Sequence, residues 1–566
     1  MSDTPSSSGL SDLPISTWKA EPTFRGTFNI LSTCIGTLTI CVWSAVHINI
    51  PSRRSPMITF LKKLGWMVVG IVAPEALLYI AYREKSIARS VLKYAYERLD
   101  LPAPPDPWYR KYSKRLYSRV QSEGVDAMES TVREKGRAHY WTLNHAFYSI
   151  SGGCAFDFSA VEHSEKESPP STLLDRVVVA PAGIRFLLDH EPDLIPDIPI
   201  EFIKDRSKTD SLSKAILFVQ VFWFCISCIS RGIQGLPLSL LEVSTMAHAI
   251  CTLFTYVIWW SKPSISAEPT IIGVNDRVDV ERARSICALM MMCSPRCKVF
   301  LAGIVGFHDK AEIQSITLAR NIPRPGQYVQ PDIRTGQVVM RPGEYLEGTP
   351  FGPGRLPSRK GLLHRLEGRL TELSIYGKRI NLPWYHHPRP IDETITLKRK
   401  DVERWQLAAQ ALQTYKLNSI RLDTYVDSDS SLQTTSFVAY YNLQDLILNL
   451  HLPIAILTAI YGLPHLIGWN ASFPTTFERF LWRVCAIILT CAGTMAGTIA
   501  VFMQIMKSLG TFNIGRGVYT LSVTVVTILY MVSSVYTVLE ALRQLLFLPP
   551  QVYQLPAWSN YFPHVA

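Results

Sequence analysis

Charged side chains are scarce in this chain of 566 residues: Asp, Glu, Lys and Arg make up 18% of it, against roughly 25% in typical soluble domains. Cysteine is also sparse, with 11 residues, which excludes a small disulfide-stabilised scaffold. The hydrophobic content of 48% excludes an intrinsically disordered chain, because such chains have too few apolar residues to form a core. The composition therefore indicates extended apolar segments.

The common short sequence motifs of catalytic and nucleotide-binding sites are missing as well. The sequence contains no phosphate-binding GxxxxGK[ST] loop, no dinucleotide fingerprint, no HExxH and no GxSxG pattern, each of which places catalytic or ligand-binding groups at a fixed spacing. Cys225 and Cys228 have CxxC spacing, but inside an apolar run they are better interpreted as small packing residues than as a redox or metal site. We therefore predict no catalytic residue, no metal site and no cofactor.

Long apolar runs account for the deficit of charge. A helix that crosses a bilayer needs roughly 20 mostly apolar residues. Seven runs come close to this length: 28–50, 64–82, 211–233, 238–260, 446–469, 481–506 and 517–541. We interpret the first run as a signal anchor, because it is too long for the apolar region of a signal peptide. The predicted fold is an all-α membrane bundle of about seven transmembrane helices.

The apolar runs divide the chain into alternating membrane and soluble parts. The predicted parts are a disordered tail over 1–27, transmembrane helices 1–2 over 28–82, a soluble insertion over 83–210, a transmembrane hairpin over 211–260, a second soluble insertion over 261–445 with a Pro/Gly-rich loop over 321–357, transmembrane helices 5–7 over 446–541, and a C-terminal tail over 542–566. Two spans separate the two insertions, so both are expected on one face, the side of the N-terminus, as mainly α or irregular structure.

The partner expected first is the lipid bilayer. The net charge is +11, which suits contact between basic juxtamembrane segments and anionic lipid. The segment 359–373 combines a leucine stripe with four basic residues and is predicted to form a helix that either packs on its own domain, the favoured alternative, or lies on anionic lipid. No compact basic motif with interleaved aromatic residues indicates nucleic-acid binding.

The side of the membrane on which the insertions lie is less determined. Lys and Arg in the short loop 51–63 favour that loop as cytosolic, whereas those flanking the second and third runs favour cytosolic insertions. Only four of the 11 cysteines lie outside the apolar runs, which is few for an oxidising compartment. We therefore favour cytosolic insertions.

Glu75 is the best-placed ionisable residue within an apolar run. A charge at membrane depth is costly, so it is a candidate functional group, and Pro74 beside it frees a backbone carbonyl and makes the region locally polar. Glu75 could bind a proton or a cation, or it could pair with another helix, which is the favoured alternative. His465, in the proline-interrupted fifth run, is the second candidate member of an intramembrane polar site.

Arg231 and Glu242 form a second candidate constellation. They lie on either side of a predicted tight turn, Gln234 to Pro237, at similar depth in two adjacent antiparallel helices. Either charge alone would be stranded in hydrocarbon. The spacing therefore predicts a structural ion pair between the two helices, with a binding role as the less favoured alternative.

Several blocks of sequence carry a resemblance to a known group. They include Ala73-Pro74-Glu75, Gln234-Gly235-Leu236-Pro237, Trp259-Trp260-Ser261-Lys262-Pro263, Tyr461-Gly462-Leu463-Pro464-His465 and Trp469-Asn470-Ala471-Ser472-Phe473-Pro474. The chain resembles a large group of fungal multi-pass integral membrane proteins without an assigned function, and the resemblance covers most of its length. It implies a fungal source and a membrane location. It implies no reaction, substrate, cofactor or catalytic residue.

Three functions remain open at this point. Glu75 and the proline-interrupted fifth run favour transport or sensing of a small molecule or ion, since broken helices often mark binding sites in membrane proteins. The size of the insertions favours a membrane scaffold or accessory protein that binds partners through them. Scattered histidines and carboxylates are the only support for a membrane-embedded enzyme acting on a lipid-like or terpenoid-like substrate.

Overall fold

A computed structural model describes part of the chain. The described residues are 24–50, 56–99, 139–157, 176–205, 208–263, 269–272, 277–292, 316–318, 326–341, 344–349, 351–353, 395–397, 399–417, 426–427, 451–508 and 512–556. The predicted helix within 359–373, nearly all of the tail 1–27 and the last ten residues lie outside them.

The described chain is mostly helical, with short strands between the helices. The helices are α1 Thr27–Ala45, α2 Pro56–Val72, α3 Pro74–Arg98, α4 Leu143–Tyr148, α5 Pro181–His190, α6 Ile200–Asp205, α7 Lys208–Ile233, α8 Leu240–Ile258, α9 Arg277–Met292, α10 Arg399–Thr414, α11 Leu452–Gly462, α12 Thr476–Ser508 and α13 Phe512–Arg543. The strands are β1 Cys154–Phe156, β2 Val177–Val179, β3 Thr270–Ile271, β4 Ile316–Leu318, β5 Tyr328–Val329, β6 Val338–Met340, β7 Tyr345–Leu346, β8 Phe351–Pro353, β9 Ile395–Leu397 and β10 Val426–Asp427.

One four-stranded sheet joins the two segments that were predicted as separate soluble insertions. Its strand order is β10-β2-β1-β3, with β1 antiparallel to β2 and parallel to β3. Strands β1 and β2 come from the first insertion, whereas β3 and β10 come from the second. We call the described residues of 139–205 and 269–427 the α/β domain. The expectation of mainly α or irregular insertions overlooked this sheet, because strands of two or three residues are too short to show periodicity.

The core of the α/β domain also draws on both insertions and on α3. It contains Val91 of α3, Phe147 of α4, Ile184 of α5, Ile286 of α9 and Trp405 of α10, all buried. Burial of such apolar side chains is the main stabilising contribution in a domain of this kind. Helix α3 therefore leaves the bundle and ends as a core element of the domain.

The other long helices form a bundle around α8. Helix α8 contacts α1, α3, α7, α11 and α13. Of its apolar stretch Leu240–Ile258, 72% is buried inside the structure, whereas only 22% of the apolar stretch Leu521–Leu546 of α13 is buried. Large apolar side chains face outward on the surrounding helices, among them Phe28 and Ile35 of α1, Phe218 and Phe222 of α7, Ile487 and Phe502 of α12, and Ile528, Val532 and Val535 of α13.

Five helical segments are long and apolar enough to cross a membrane. They are Thr27–Ser44, Leu240–Ile258, Leu452–Asn470, Thr476–Phe502 and Leu521–Leu546. The third combines α11 with a 3₁₀ segment, Leu463–Asn470, which begins next to Pro464 in the run predicted to be interrupted by proline. Helix α7 supplies a shorter apolar stretch, Leu217–Ile233.

The run 64–82, predicted as one continuous span, is broken in the structure. Helices α2 and α3 meet at Ala73 and are bent by 112° relative to each other. Ala73 has φ −144° and ψ 70°, which is not helical. Pro74 explains the break, because it lacks an N–H group and disfavours helical geometry at the preceding residue.

The bundle has two distinct ends. At the domain end, the segment after α1 contacts the α/β domain, and the Ile50 N–H donates to the Ser151 carbonyl at 2.9 Å. At the terminal end, Phe24 forms a β-bridge with Gln554. Helix α1 therefore separates Phe24 from the α/β domain.

Candidate functional site: a polar cluster at the helix break

Glu75 lies in the first turn of α3, directly after the break. This position suits a carboxylate, since the first N–H groups of a helix lack intrahelical acceptors and carry a partial positive charge. The residue is 7% exposed. The Tyr530 hydroxyl of α13 donates to Oε1 of Glu75. The other oxygen, Oε2, is buried and has no hydrogen-bond partner within the described part of the chain.

The break also exposes the last carbonyls of α2, and side chains from other helices bind them. Nε2 of His248 in α8 lies 2.8 Å from the Ile71 carbonyl oxygen, and the Ser534 hydroxyl of α13 donates to the Val72 carbonyl. Nδ1 of His248 lies 2.8 Å from a further carbonyl, that of Ser244. The break is thus stabilised by polar groups from two helices that are distant in sequence.

Tyr461 of α11 links this region to His465. Its ring lies edge-on to His248 at 5.3 Å and to His465 at 5.0 Å between centroids. Tyr461 and Tyr530 also belong to one group of buried side chains in mutual contact. The structure therefore brings the two predicted residues Glu75 and His465 to one region. Tyr461, Tyr530 and His248 complete what we call the helix-break cluster.

The helix-break cluster contains buried polar atoms without partners. Nδ1 of His465 lies 3.1 Å from the Tyr461 carbonyl, but Nε2 of His465 and the Tyr461 hydroxyl have no hydrogen-bond partner among the described residues. Each such atom costs on the order of 1–3 kcal/mol when buried. Unsatisfied groups of this kind in a native structure indicate strain, an unrecorded water or ion, or a functional role.

Arg231 and Glu242 do not form the predicted pair with each other. Both oxygens of Glu242 instead bind the guanidinium of Arg25, at 2.5 and 2.9 Å. Glu242 also accepts from Ser239 at the start of α8, a capping box in which each residue binds the backbone of the other. Ser-x-x-Glu spacing before an apolar run was the signal in the sequence that would have assigned Glu242 to this role.

Arg231 binds the C-terminal segment. It donates to the carbonyl oxygens of Pro237, Val552 and Gln554 at 2.9, 2.9 and 2.6 Å. The residues Arg25, Arg231, Glu242, Val552 and Gln554 form what we call the terminal clasp. Helical spacing could not predict it, because Arg25 and the residues around Gln554 are far from the 231–242 hairpin in sequence.

A buried ion pair at the domain end was also overlooked. Nζ of Lys262, just after α8, lies 2.7 Å from Oε2 of Glu84 in α3, and both side chains are nearly inaccessible to solvent. Lys262 also donates to the His47 carbonyl and to Asn49, each at 3.3 Å. Charged residues near the ends of apolar runs are common, so nothing in the sequence distinguished this pair.

The α/β domain holds a separate, partly buried polar group. Arg282 of α9 binds Glu191 at 3.0 Å, and the Tyr415 hydroxyl donates to the other oxygen of Glu191 at 2.7 Å. Burial raises the pKa of Tyr415 above its usual value, and the bond to Glu191 raises it further. Both effects keep the phenol protonated, so the group serves to join α9 to the segment after α10.

No group of three or more His, Cys, Asp and Glu side chains within the described residues could hold a metal ion. The model of a family of unknown function, DUF8562, matches residues 2–305 and 439–565. This is most of the chain, which therefore belongs to that family. No curated protein and no solved structure matches it. The matched segments contain all residues of the helix-break cluster and of the terminal clasp.

Proposed function

We propose that this family member is a multi-pass integral membrane protein that transports or senses a small molecule or ion. Five apolar segments of sufficient length support the membrane location. The outward-facing apolar side chains of α1, α7, α12 and α13 support it further, because so many large exposed apolar side chains are unusual on a soluble protein. The blocks of resemblance support a fungal source.

We also propose a layout of six crossings and one re-entrant hairpin in place of seven spans. Phe24 and Gln554 meet at the terminal end, which requires an even number of crossings. Helices α1, α7, α8, α11 with its 3₁₀ segment, α12 and α13 would supply six. Helices α2 and α3 would enter and leave at the domain end, which the 3.6 Å contact between Lys63 of α2 and the Trp43 ring near the end of α1 supports.

The observation that carries the functional proposal is the buried, half-satisfied carboxylate of Glu75 at the broken helix. In membrane transporters, discontinuous helices place their charged ends at ion and substrate sites. Ionisable groups at membrane depth mark ion or proton pathways by default. Glu75 combines both features, and its neighbours come from three other helices of the bundle.

The test replaces the chromosomal gene with a Glu75→Gln allele. The deletion strain is first screened under altered pH and ion concentrations to define a phenotype. We expect Glu75→Gln cells to show the same phenotype as the deletion, at normal protein abundance, because Gln keeps the shape of the side chain and removes its charge. Glu540→Gln is the control, since Glu540 is also buried but has both oxygens bound by Arg543. Wild-type growth of Glu75→Gln cells would exclude Glu75 as the working group.

A membrane scaffold is the second candidate. It is favoured by the α/β domain, whose sheet and core unite both insertions and so form one large body beside the bundle. This candidate predicts the opposite result: Glu75→Gln cells grow normally, whereas exposed substitutions on the domain reproduce the deletion phenotype.

A further inference from the structure

We propose that the helix-break cluster binds one proton, shared between Glu75 and His248, and does not bind a metal cation. This inference rests on the proposed function and names its substrate class. The proton comes from solvent. It forms either an O–H bond at Oε2 of Glu75 or a second N–H bond on His248, and in both cases it cancels the single negative charge that the cluster carries when Glu75 is ionised and His248 is neutral.

The surroundings of His248 require an additional proton. Both ring nitrogens lie 2.8 Å from carbonyl oxygens, those of Ser244 and Ile71. A carbonyl oxygen can only accept a hydrogen bond, and a neutral imidazole has one N–H group. Both contacts are therefore hydrogen bonds at the same time only when His248 carries two protons.

The surroundings of Glu75 provide the alternative position for that proton. Tyr530 occupies Oε1, while Oε2 is buried without a partner in the part of the chain that the structure describes. A carboxylate oxygen buried in this way is costly as an anion and far less so as a protonated hydroxyl. The proton thus has two possible positions: Oε2 of Glu75 in α3, and the ring of His248, which contacts the Ile71 carbonyl of α2.

Tyr461 lies between these positions. Its ring contacts that of His248, and its buried hydroxyl has no partner among the described atoms. A phenol both donates and accepts a hydrogen bond, so it is a suitable intermediate for a proton that moves between helices. His465, whose ring also contacts that of Tyr461, has a buried nitrogen, Nε2, without a hydrogen-bond partner among the described residues.

A metal cation fits the helix-break cluster less well. Hard cations need several oxygen ligands with free lone pairs directed at one point. Here Oε1 of Glu75 and the carbonyls of Ile71 and Val72 already accept hydrogen bonds from protein groups. Within the described residues, the titratable groups that interact with Glu75 are Cys251 from α8, Tyr461 from α11 and Tyr530 from α13. His248 and His465 both contact the ring of Tyr461.

The experiment is an infrared difference titration of the full-length protein in lipid nanodiscs. We expect acidification to produce the carbonyl stretch of a protonated, buried carboxyl group. This band should be absent in Glu75→Gln and unchanged in Glu540→Gln. In His248→Gln the band should grow, because the proton then has no imidazole to occupy. Size-exclusion elution identical to wild type establishes that each variant is folded.

Three results would overturn the proposal: no titrating carboxyl band in the wild type, a band that persists in Glu75→Gln, or a band that sodium, potassium or calcium abolishes at constant pH. The outcome is separable from that of the functional proposal. A band lost in Glu75→Gln together with normal growth of the mutant strain supports proton binding and contradicts transport or sensing. A growth defect of the Glu75→Gln strain without any titrating carboxyl band supports transport or sensing and contradicts proton binding.

Discussion

Lys262 and Glu84 illustrate, at the scale of single residues, how the bundle is joined to the domain. Their ion pair is almost inaccessible to solvent, and Lys262 also lies over the Trp259 ring at 4.4 Å. Two ions removed from water stabilise a protein only through good geometry and further hydrogen bonds. Asn49 and the His47 carbonyl supply those bonds, so three segments of the chain meet at one ammonium group.

We predict that Lys262→Met destabilises the protein by about 3–5 kcal/mol, because it leaves the Glu84 carboxylate buried without a counter-ion. The double variant Lys262→Met/Glu84→Leu should recover most of this loss. The measurement is unfolding of the purified protein in detergent, compared through a double-mutant cycle. Lys93→Ala is the control, since Lys93 and Glu97 form an exposed pair. Equal losses in the single and double variants would contradict the prediction.

The sequence predicted some of these residues and not others, for physical reasons. Glu75 was identified because burying a lone carboxylate in an apolar run costs free energy, and a functional role is the usual reason for keeping one there. Lys262 and Glu84 did not, because charges at the ends of helices are ordinary. Arg231 and Glu242 were predicted to pair with each other, but in the structure they bind the segment around Gln554 and Arg25, and local spacing does not encode how those distant segments pack.

At the scale of elements, the contact between α11 and α12 depends on the absence of side chains. A Cβ atom added at Gly493 of α12 would lie 2.7 Å from the Ile454 carbonyl oxygen and 2.8 Å from the Ala455 Cα atom. Both are backbone atoms of α11 and cannot rotate away. Small residues let helix backbones approach closely in this way, which is a principal source of helix association in membranes.

We predict that Gly493→Ala destabilises the bundle by about 1–3 kcal/mol, the usual cost of overpacking. Gly36→Ala in α1 is the matched control: a Cβ atom there meets nothing within 4 Å, and alanine is the better helix former by about 1 kcal/mol. Thermal unfolding of both variants in the same detergent provides the comparison. A lower midpoint for Gly36→Ala than for Gly493→Ala would refute the role of this contact.

The helices could largely be predicted from the sequence. The break between α2 and α3 could be predicted only in part, and the sheet could not be predicted. Apolar runs of about 20 residues identify buried or membrane helices from composition alone. Pro74 was recognised as a source of polarity, but a bend of 112° depends on the side chains of His248 and Ser534 that bind the freed carbonyls. The paired strands β2 and β10 are short and far apart in sequence, so no local sequence pattern predicted them.

At the scale of the whole molecule, the terminal clasp fixes the path of the chain. Arg25 binds Glu242 and the Val552 carbonyl, while the α/β domain lies at the other end of α1. Residues 24–25 and 552–554 are therefore neighbours, and the domain is remote from both. This arrangement of the two ends of the bundle is the same whether the terminal end or the domain end faces the cytosol.

We predict that tags at the N- and C-termini are reached from one side of a sealed vesicle, and the α/β domain from the other. A cysteine in place of Ile333, which is fully exposed, should react with an impermeant maleimide only on the domain side. Ala88→Cys, buried in the domain core, is the unreactive control. Labelling of Ile333→Cys from the side that exposes the tags would rule out six crossings.

The shared sheet also has a consequence for synthesis. Val178 pairs with Asp427, so strand β2 leaves the ribosome roughly 250 residues before its partner. At about 5–20 residues per second, it waits about 12–50 s while two helices of the bundle are made in between. Strand β1 can pair with one edge of β2 at once, but the other edge stays unpaired during this time. Chains truncated before Asp427 are therefore expected to be degraded faster than the full chain.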